Sequence, residues 1–293
     1  MAVAPPRTRQ LDVAVIADVH LGTPAARAGE LLDYLGSILP ETLVIAGDLI
    51  NLDGLSSSQL PGPHFEIVKK VLDFAHEGTR VYYLTGNHEA SLLQLKDLSL
   101  GKLHFRRDLT LQLDGVKHYF FHGHTLDAAV KYLLRPQQLH GPMRRVVDLV
   151  DAGVNRVKSK VGKRRWSLAE EAKTNPDTAE RYIEQYVQSA AQLAVLKGCQ
   201  RVVCAHIHQP LLREIEVEDE QVEYLNPGDW TDSLTALEYR FGRWSLRHYD
   251  ADDFPKASDR LRVPADLRVP SGHTAQRELL QKIIESGPTR PVG

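Results

Sequence analysis

Cysteine is nearly absent from this 293-residue chain, which holds only Cys199 and Cys204. The two flank the apolar "RVV", and a strand there would hold their α-carbons too far apart to bridge. Both are expected as reduced core thiols, which suits a cytoplasmic protein. Long hydrophobic runs are missing as well. The N-terminal "MAVAPPRTRQ" lacks an apolar signal segment, and no stretch approaches the roughly 20 uninterrupted apolar residues that cross a bilayer. A soluble or membrane-peripheral protein is expected. An excess of charge is the third absence, because Lys and Arg total 36 against 38 for Asp and Glu. A protein built to coat nucleic acid is therefore not expected, and any charge argument must be local. The length allows one large domain or two small ones, and a sizeable core in either case.

Five short apolar runs share one grammar: "DVAVIADVH" (12–20), "LVIAGD" (43–48), "VYYLTGNH" (81–88), "HYFFHGH" (118–124) and "VVCAHIH" (202–208). Each is rich in β-formers and stops at Asp, Asn or His. Runs this short and apolar read as strands buried on both faces. Apolar residues at three- and four-residue spacings in 26–39 and 64–78 read as helices, so strand–helix alternation predicts an α/β fold. After 198, "LLREIEV", "VEYLN" and "LTALEYRFGRWSLRHYD" read as strands of a closing sheet. The main domain is placed at 10–250, with residues 126–198 as a mostly helical insert. The insert carries Lys131, Arg135, Arg144, Arg145, Arg156, Lys158, Lys160, Lys163, Arg164 and Arg165 against only Asp148 and Asp151 up to Trp166. Residues 251–293 read as a loosely held tail with one helix at 274–286.

Ligands of open α/β sheets bind beyond the carboxyl ends of the strands, so these runs bring their terminal side chains to one region. Carboxylate, amide oxygen and imidazole together suit borderline divalent ions such as Mn²⁺, Fe²⁺ or Zn²⁺. Residues two apart in extended chain share a face, so Asp18 with His20, and His206 with His208, each offer two groups toward one place. The same geometry leaves "FHGHT" (121–125) open, because His122 and His124 could both ligate.

In order and form, "ADVHLG", "AGDLI", "TGNHE", "FHGH" and "AHIHQP" resemble the calcineurin-like metallophosphoesterases over roughly 12–250. "DVHLGT", "RRWSLAEEAK" and "YLNPGDWTDSLTALEY" look more narrowly like the branch related to UDP-2,3-diacylglucosamine hydrolase, an enzyme of lipid A biosynthesis. The resemblance implies an α/β sandwich of two central sheets flanked by helices, with a helical insert. It also implies a dinuclear centre, Mn most of all with Fe or Zn as alternatives. Asp18, His20 and His208 would hold one ion, Asn87, His122 and His206 the other, and Asp48 would bridge. Two ions roughly 3.5–4 Å apart acidify a water and stabilise the attacking and leaving oxygens of a displacement at phosphorus. His88 would stabilise or protonate at the substrate phosphate. The insert would be a lid over a phosphorylated, nucleotide-linked lipid, with Arg165, Ser167 and Lys173 touching substrate and peripheral contact with an anionic membrane.

The same resemblance places His122 as the ligand and His124, where relatives carry Asp, as a group facing substrate or supporting the ligands. Asn226 and Asp229 are expected either to orient ligating imidazoles or to form a tight turn over Trp230. Asn51, Asp53 and His88 also stand where relatives carry other residues. The expected reaction is release of UMP and a lipid phosphate. The alternatives are a phosphodiesterase or phosphatase for a soluble substrate, a nuclease whose basic insert holds a backbone, and a metal-binding regulator without turnover.

Overall fold

The structure, a computed structural model, describes residues 8–51, 62–89, 97–126, 130 and 176–254. β1 (Arg9–Ile16), α1 (Ala28–Gly36), β2 (Ile38–Ile45), α2 (Gly62–His76) and β3 (Arg80–Leu84) repeat the strand–helix alternation read in the sequence. Three strands that the sequence reading does not identify follow: β4 (Ser99–Leu100), β5 (Leu103–Arg106) and β6 (Asp108–Leu113). Then come β7 (Val116–Phe121), α3 (Pro176–Leu196), β8 (Arg201–Cys204), β9 (Leu211–Val217), β10 (Glu220–Asn226), β11 (Thr235–Arg240) and β12 (Arg243–His248).

The strands form two sheets, one of seven in the order β12-β11-β1-β2-β3-β5-β4 and one of five in the order β6-β7-β8-β10-β9. The expected closing sheet is thus divided: β9 and β10 extend the second sheet, while β11 and β12 extend the first. Pairing explains the division, because β11 runs antiparallel to β1 with Val15 opposite Leu237, and β10 runs parallel to β8 with Leu225 opposite Val203.

Alternation along each strand sorts side chains between two faces. In β1, Val13 and Val15 pack between the sheets with Val44, Phe120, Val203 and Leu225, while Ala14 and Ile16 face α1 and α2 with Leu31, Leu35, Ile67 and Phe74. α3 covers the outer face of the second sheet through a stripe at Ala179, Tyr182, Tyr186, Ala190 and Leu193, spaced three or four residues apart. The result is a helix–sheet–sheet–helix sandwich, the α/β sandwich expected. Cys199 and Cys204 are free and buried. Among the described residues no helix is long and apolar enough to cross a membrane. Of the insert, 127–129 and 131–175 lie outside the described residues, and so does the tail beyond 254.

Candidate metal centre

β1, β2 and β3 are parallel neighbours in one sheet, and β7 and β8 in the other. Their carboxyl ends therefore open on a common edge, where the loops cross-brace one another. Asp18 N donates to Gly47 O at 3.1 Å and His20 N to Asp48 O at 2.9 Å. His206 N, from the second sheet, donates to Asp18 Oδ2 at 2.9 Å.

Asp18, His20, Asp48, His206 and His208 all have left-handed backbone, with φ between 50° and 73°. A non-glycine residue held there costs about 1 kcal/mol or more. Extended geometry does not apply to these pairs. Asp18 and His20 still reach one group, whereas His206 and His208 go to different groups of donors, the division between two ions that the family resemblance implies.

Three such groups form, with donor atoms within 4.8 Å of one another in each: Asp18 with His20 and His208; Asp48 with His122 and His206; and His20 with Asp48 and His88. In the first, Asp18 Oδ1 lies 3.4 Å from His208 Nε2 and 3.9 Å from His20 Nε2, while the two Nε2 atoms are 3.4 Å apart. In the second, His122 Nε2 lies 3.4 Å from Asp48 Oδ2 and 3.2 Å from Asn87 Oδ1. His88 Nε2 stands 3.7 Å from Asp48 Oδ2, with its ring edge-on to His20 at 4.8 Å between centroids.

The donor atoms fit cations. His122 Nδ1 is 2.9 Å from Ala46 O, and a carbonyl only accepts, so Nδ1 carries a proton and donates it. Once its second proton is displaced, the ring would offer the lone pair of Nε2 to the point faced by Asn87 Oδ1 and Asp48 Oδ2. Three acceptors converging there match a positive ion. Asp18 Oδ1 is buried, makes no hydrogen bond and faces two imidazole nitrogens, which gives the first group the same character.

Electrostatics point the same way. Burial works against ionisation of Asp18 and Asp48, yet both carboxyls lie below the usual range, Asp18 through His208 and Asp48 through His122 and His88. Burial lowers His20 to about 4, so it is neutral at ordinary pH and its ring nitrogen can act as a donor. Burial also opposes protonation of His122 and His208, but Asp48 lifts the first to about 10 and Asp18 the second to about 9. The two carboxylates that hold those protons would equally draw a divalent ion.

Around these groups lie residues with different signals in the sequence. Asp229 Oδ2 stands 3.8 Å from His208 Nδ1, while its Oδ1 accepts from Thr231 N and Asp232 N at 2.8 and 2.6 Å. Asn226 Nδ2 donates to Ala205 O at 3.4 Å, not to an imidazole, and its Oδ1 accepts from Gly228 N at 2.9 Å. Trp230 packs beneath this turn against Tyr34. His124 is half-buried, 5.4 Å from His122 between ring centroids, and joins none of the three groups. Asn51 is buried, with its N–H on Leu21 O at 2.9 Å. Arg165, Ser167, Lys173 and Asp53 lie outside the described residues.

Sequence reasoning passed over three neighbours. Glu89 is fully buried and bonds to both loops of the first sheet; burial, only partly opposed by its hydrogen bonds, takes its carboxyl up to about 7. Its signal was in plain view, next to "GNH". His64 Nδ1 accepts from Gly22 N at 2.9 Å, just past His20. Tyr186 donates to Ala205 O at 3.2 Å from the middle of α3, and nothing local to it in the sequence reveals that reach.

Residues 11–210 match the profile of the family described as calcineurin-like phosphoesterase. A search of functionally curated proteins gave no match. Among solved structures, the chain is similar to an archaeal phosphodiesterase, with 14% identity over 80% of this chain and 98% of that one, and a TM-score of 0.38. It is similar to YfcE, a phosphoesterase from E. coli, with 14% identity over 81% and 99% and a TM-score of 0.37. Vacuolar protein sorting 29 from Cryptosporidium parvum gives 14% identity over 80% and 94%, with a TM-score of 0.37.

Proposed function

Because the chain belongs to the calcineurin-like phosphoesterase family, a family of metal-dependent phosphoester hydrolases, we propose that it cleaves a phosphate ester or anhydride with two divalent ions held between its sheets. The observation that supports this most is that Asp48 belongs to the group with His122 and His206 and also lies in one group with His20, a member of the other donor set. One carboxylate common to two donor sets is what a bridged pair of ions requires. In this reading Asp18, His20 and His208 would hold one ion and Asn87, His122 and His206 the other, with Asp48 available to both. Mn²⁺ suits the mixed oxygen and nitrogen donors, as Fe²⁺ or Zn²⁺ would. Bound there, such ions would supply Lewis-acid chemistry at phosphorus and acidify water.

The chain's own residues orient and move protons. His88 Nε2, 3.7 Å from Asp48, delivers a proton to the leaving oxygen, and its nearly buried ring limits competition from bulk water. The carbonyl of Ala46 fixes the His122 tautomer. Asp229 restrains His208 from behind.

At the finer level we take the substrate to be UDP-2,3-diacylglucosamine or a similar nucleotide-linked lipid, cleaved to UMP and a lipid phosphate. The support is the run "YLNPGDWTDSLTALEY" and the basic charge of 131–165. The protein would then be cytoplasmic and touch an anionic membrane through its insert, with nucleic acid no partner. His124, Asn51 and Asp53, where relatives differ, favour a second reading: a phosphodiesterase or phosphatase for a soluble substrate. An assay of Mn²⁺-loaded protein on UDP-2,3-diacylglucosamine and on bis-p-nitrophenyl phosphate, with Asp48→Ala as control, separates them. Cleavage of the lipid is the expected result. Cleavage of the generic diester alone, by wild type only, leaves the second reading; cleavage of neither overturns both.

A further inference from the structure

Glu89 lies one residue beyond His88 and is 0% exposed, the least accessible carboxylate near the site. Its Oε1 accepts from Ile50 N at 2.7 Å and from the Tyr83 hydroxyl, and its Oε2 from Gly86 N at 3.3 Å. Ile50 belongs to the loop after β2 that carries Asp48. Gly86 belongs to the loop after β3 that carries Asn87 and His88. One side chain therefore ties together the backbones of two loops that meet the same proposed pair of ions.

The tie is reciprocal. Asp48, on the β2 loop, accepts from His88 N on the β3 loop at 3.0 Å. Glu89, on the β3 loop, accepts from Ile50 N on the β2 loop. Each loop lends an acceptor side chain to the other's backbone, as in a helix capping box. The approach is close enough that a Cβ on Gly86 would overlap Asp48 Oδ1. With Oδ1 committed to His88 N, only Oδ2 of Asp48 faces His122 and His88. A small slide of one loop past the other would re-aim that oxygen.

We propose that Glu89 is a positioning residue: it locks the β2 and β3 loops in register and so sets the aim of Asp48 Oδ2 and the place of His88 relative to it. The proposal rests on the metallophosphoesterase reading given above. Glu89 touches neither substrate nor ion, and its effect passes through Asp48 and His88. Glu89→Gln keeps the size and one accepting oxygen but turns an NH₂ toward a backbone N–H, so one loop contact becomes a donor facing a donor.

The test uses the full chain loaded with Mn²⁺. In wild type, two bound ions bridged by one carboxylate give an exchange-coupled electron paramagnetic resonance signal. In Glu89→Gln, both ions still bind at saturation, the coupled signal changes, and kcat on bis-p-nitrophenyl phosphate falls about 10-fold or more with little change in KM. Tyr83→Phe removes one bond to the same carboxylate at little cost in shape, and is expected to shift both readouts in the same direction by a smaller factor. It serves as the deciding variant should Glu89→Gln fail to fold. A folded Glu89→Gln with wild-type coupling and turnover, or a Tyr83→Phe with neither readout moved, overturns the positioning role while the metal reading stands. A wild type that takes up no divalent ion overturns both.

Discussion

From the seven-stranded sheet come both carboxylates, the amide of Asn87, and His20 and His88, whereas the five-stranded sheet supplies only the imidazoles of His122, His206 and His208. The loops are also secured differently. In the first half an acceptor, Glu89, gathers backbone N–H groups. In the second half, Tyr186 and Asn226 donate to the carbonyl of Ala205, while Asp229 gathers N–H groups within its own turn only. The halves are then bonded to each other through His122 to Ala46 O and Asp18 to His206 N. Neither half is a site alone: one concentrates negative charge, and the other provides the imidazole nitrogens that make this charge selective for a borderline cation.

The largest break should come from removing the one carboxylate that both proposed ions share. Asp48→Ala is expected to lower kcat/KM by ~1000-fold or more, about 4 kcal/mol in the barrier, with loss of bound metal by elemental analysis. A retained pair of ions at full occupancy would contradict the sharing.

Next come two of the close approaches, one from each half. Gly86→Ala drives a methyl into Asp48, and Gly123→Ala, at φ +109°, drives one into the Tyr186 hydroxyl. Each is expected to destabilise by about 2–4 kcal/mol in denaturant unfolding. Only the second should be partly rescued by Tyr186→Phe, a coupling read from the double-mutant cycle. Additivity there would mean that the phenol is not what Gly123 makes room for.

A gentler probe is pH applied to chelator-treated protein. His122 and His208 lie above the ordinary imidazole value of about 6.5, at about 10 and about 9. Their contribution to stability is therefore complete below about 6.5 and fades as pH rises through 9 and 10. Asp18 and Asp48 lie below the ordinary carboxylate value, so their contribution is present above about 4 and fades as pH falls below it. The melting temperature should thus decline between pH 8 and 10.5, while metal affinity climbs over the same interval because each ion displaces protons. Calorimetry near pH 7.5 should show close to two protons released on loading; none released would refute the assignment of these two rings. The smallest effect expected is that of His124→Ala, with metal content unchanged. Loss of metal there would add His124 to the second half's ligands.

Much of this was legible in the sequence because the chemistry sits at strand ends. Buried parallel strands read as apolar runs, and a polar residue that stops such a run is conspicuous, as Asp18, Asp48, Asn87, His122 and His206 are. The strands β4 to β6 were not legible, because half-buried edge strands such as β6 lack a dense apolar run. The division of β9 and β10 from β11 and β12 depends on long-range pairing that no local pattern encodes. Pleat arithmetic alone would put His206 and His208 in one place, and it was the order of the motifs that divided them as the donor groups do. Tyr186 acts across a fold-level contact from α3. Glu89 was visible but carried no sign that its bonds go to backbone on another loop.

The left-handed backbone at Asp18, His20, Asp48, His206 and His208 sets selection for stability against selection for function. Glycine would relax the backbone at each of these positions, but at Asp18 and Asp48 it would also remove the acceptors of His206 N and His88 N, so there the relief of strain is offset by lost bonds. A library of variants sorted by thermal tolerance alone should admit glycine at His20, His206 and His208 as readily as at Leu234 and Phe241, and lose metal through the first three. One sorted by turnover should hold them fixed and collect its stabilising changes elsewhere.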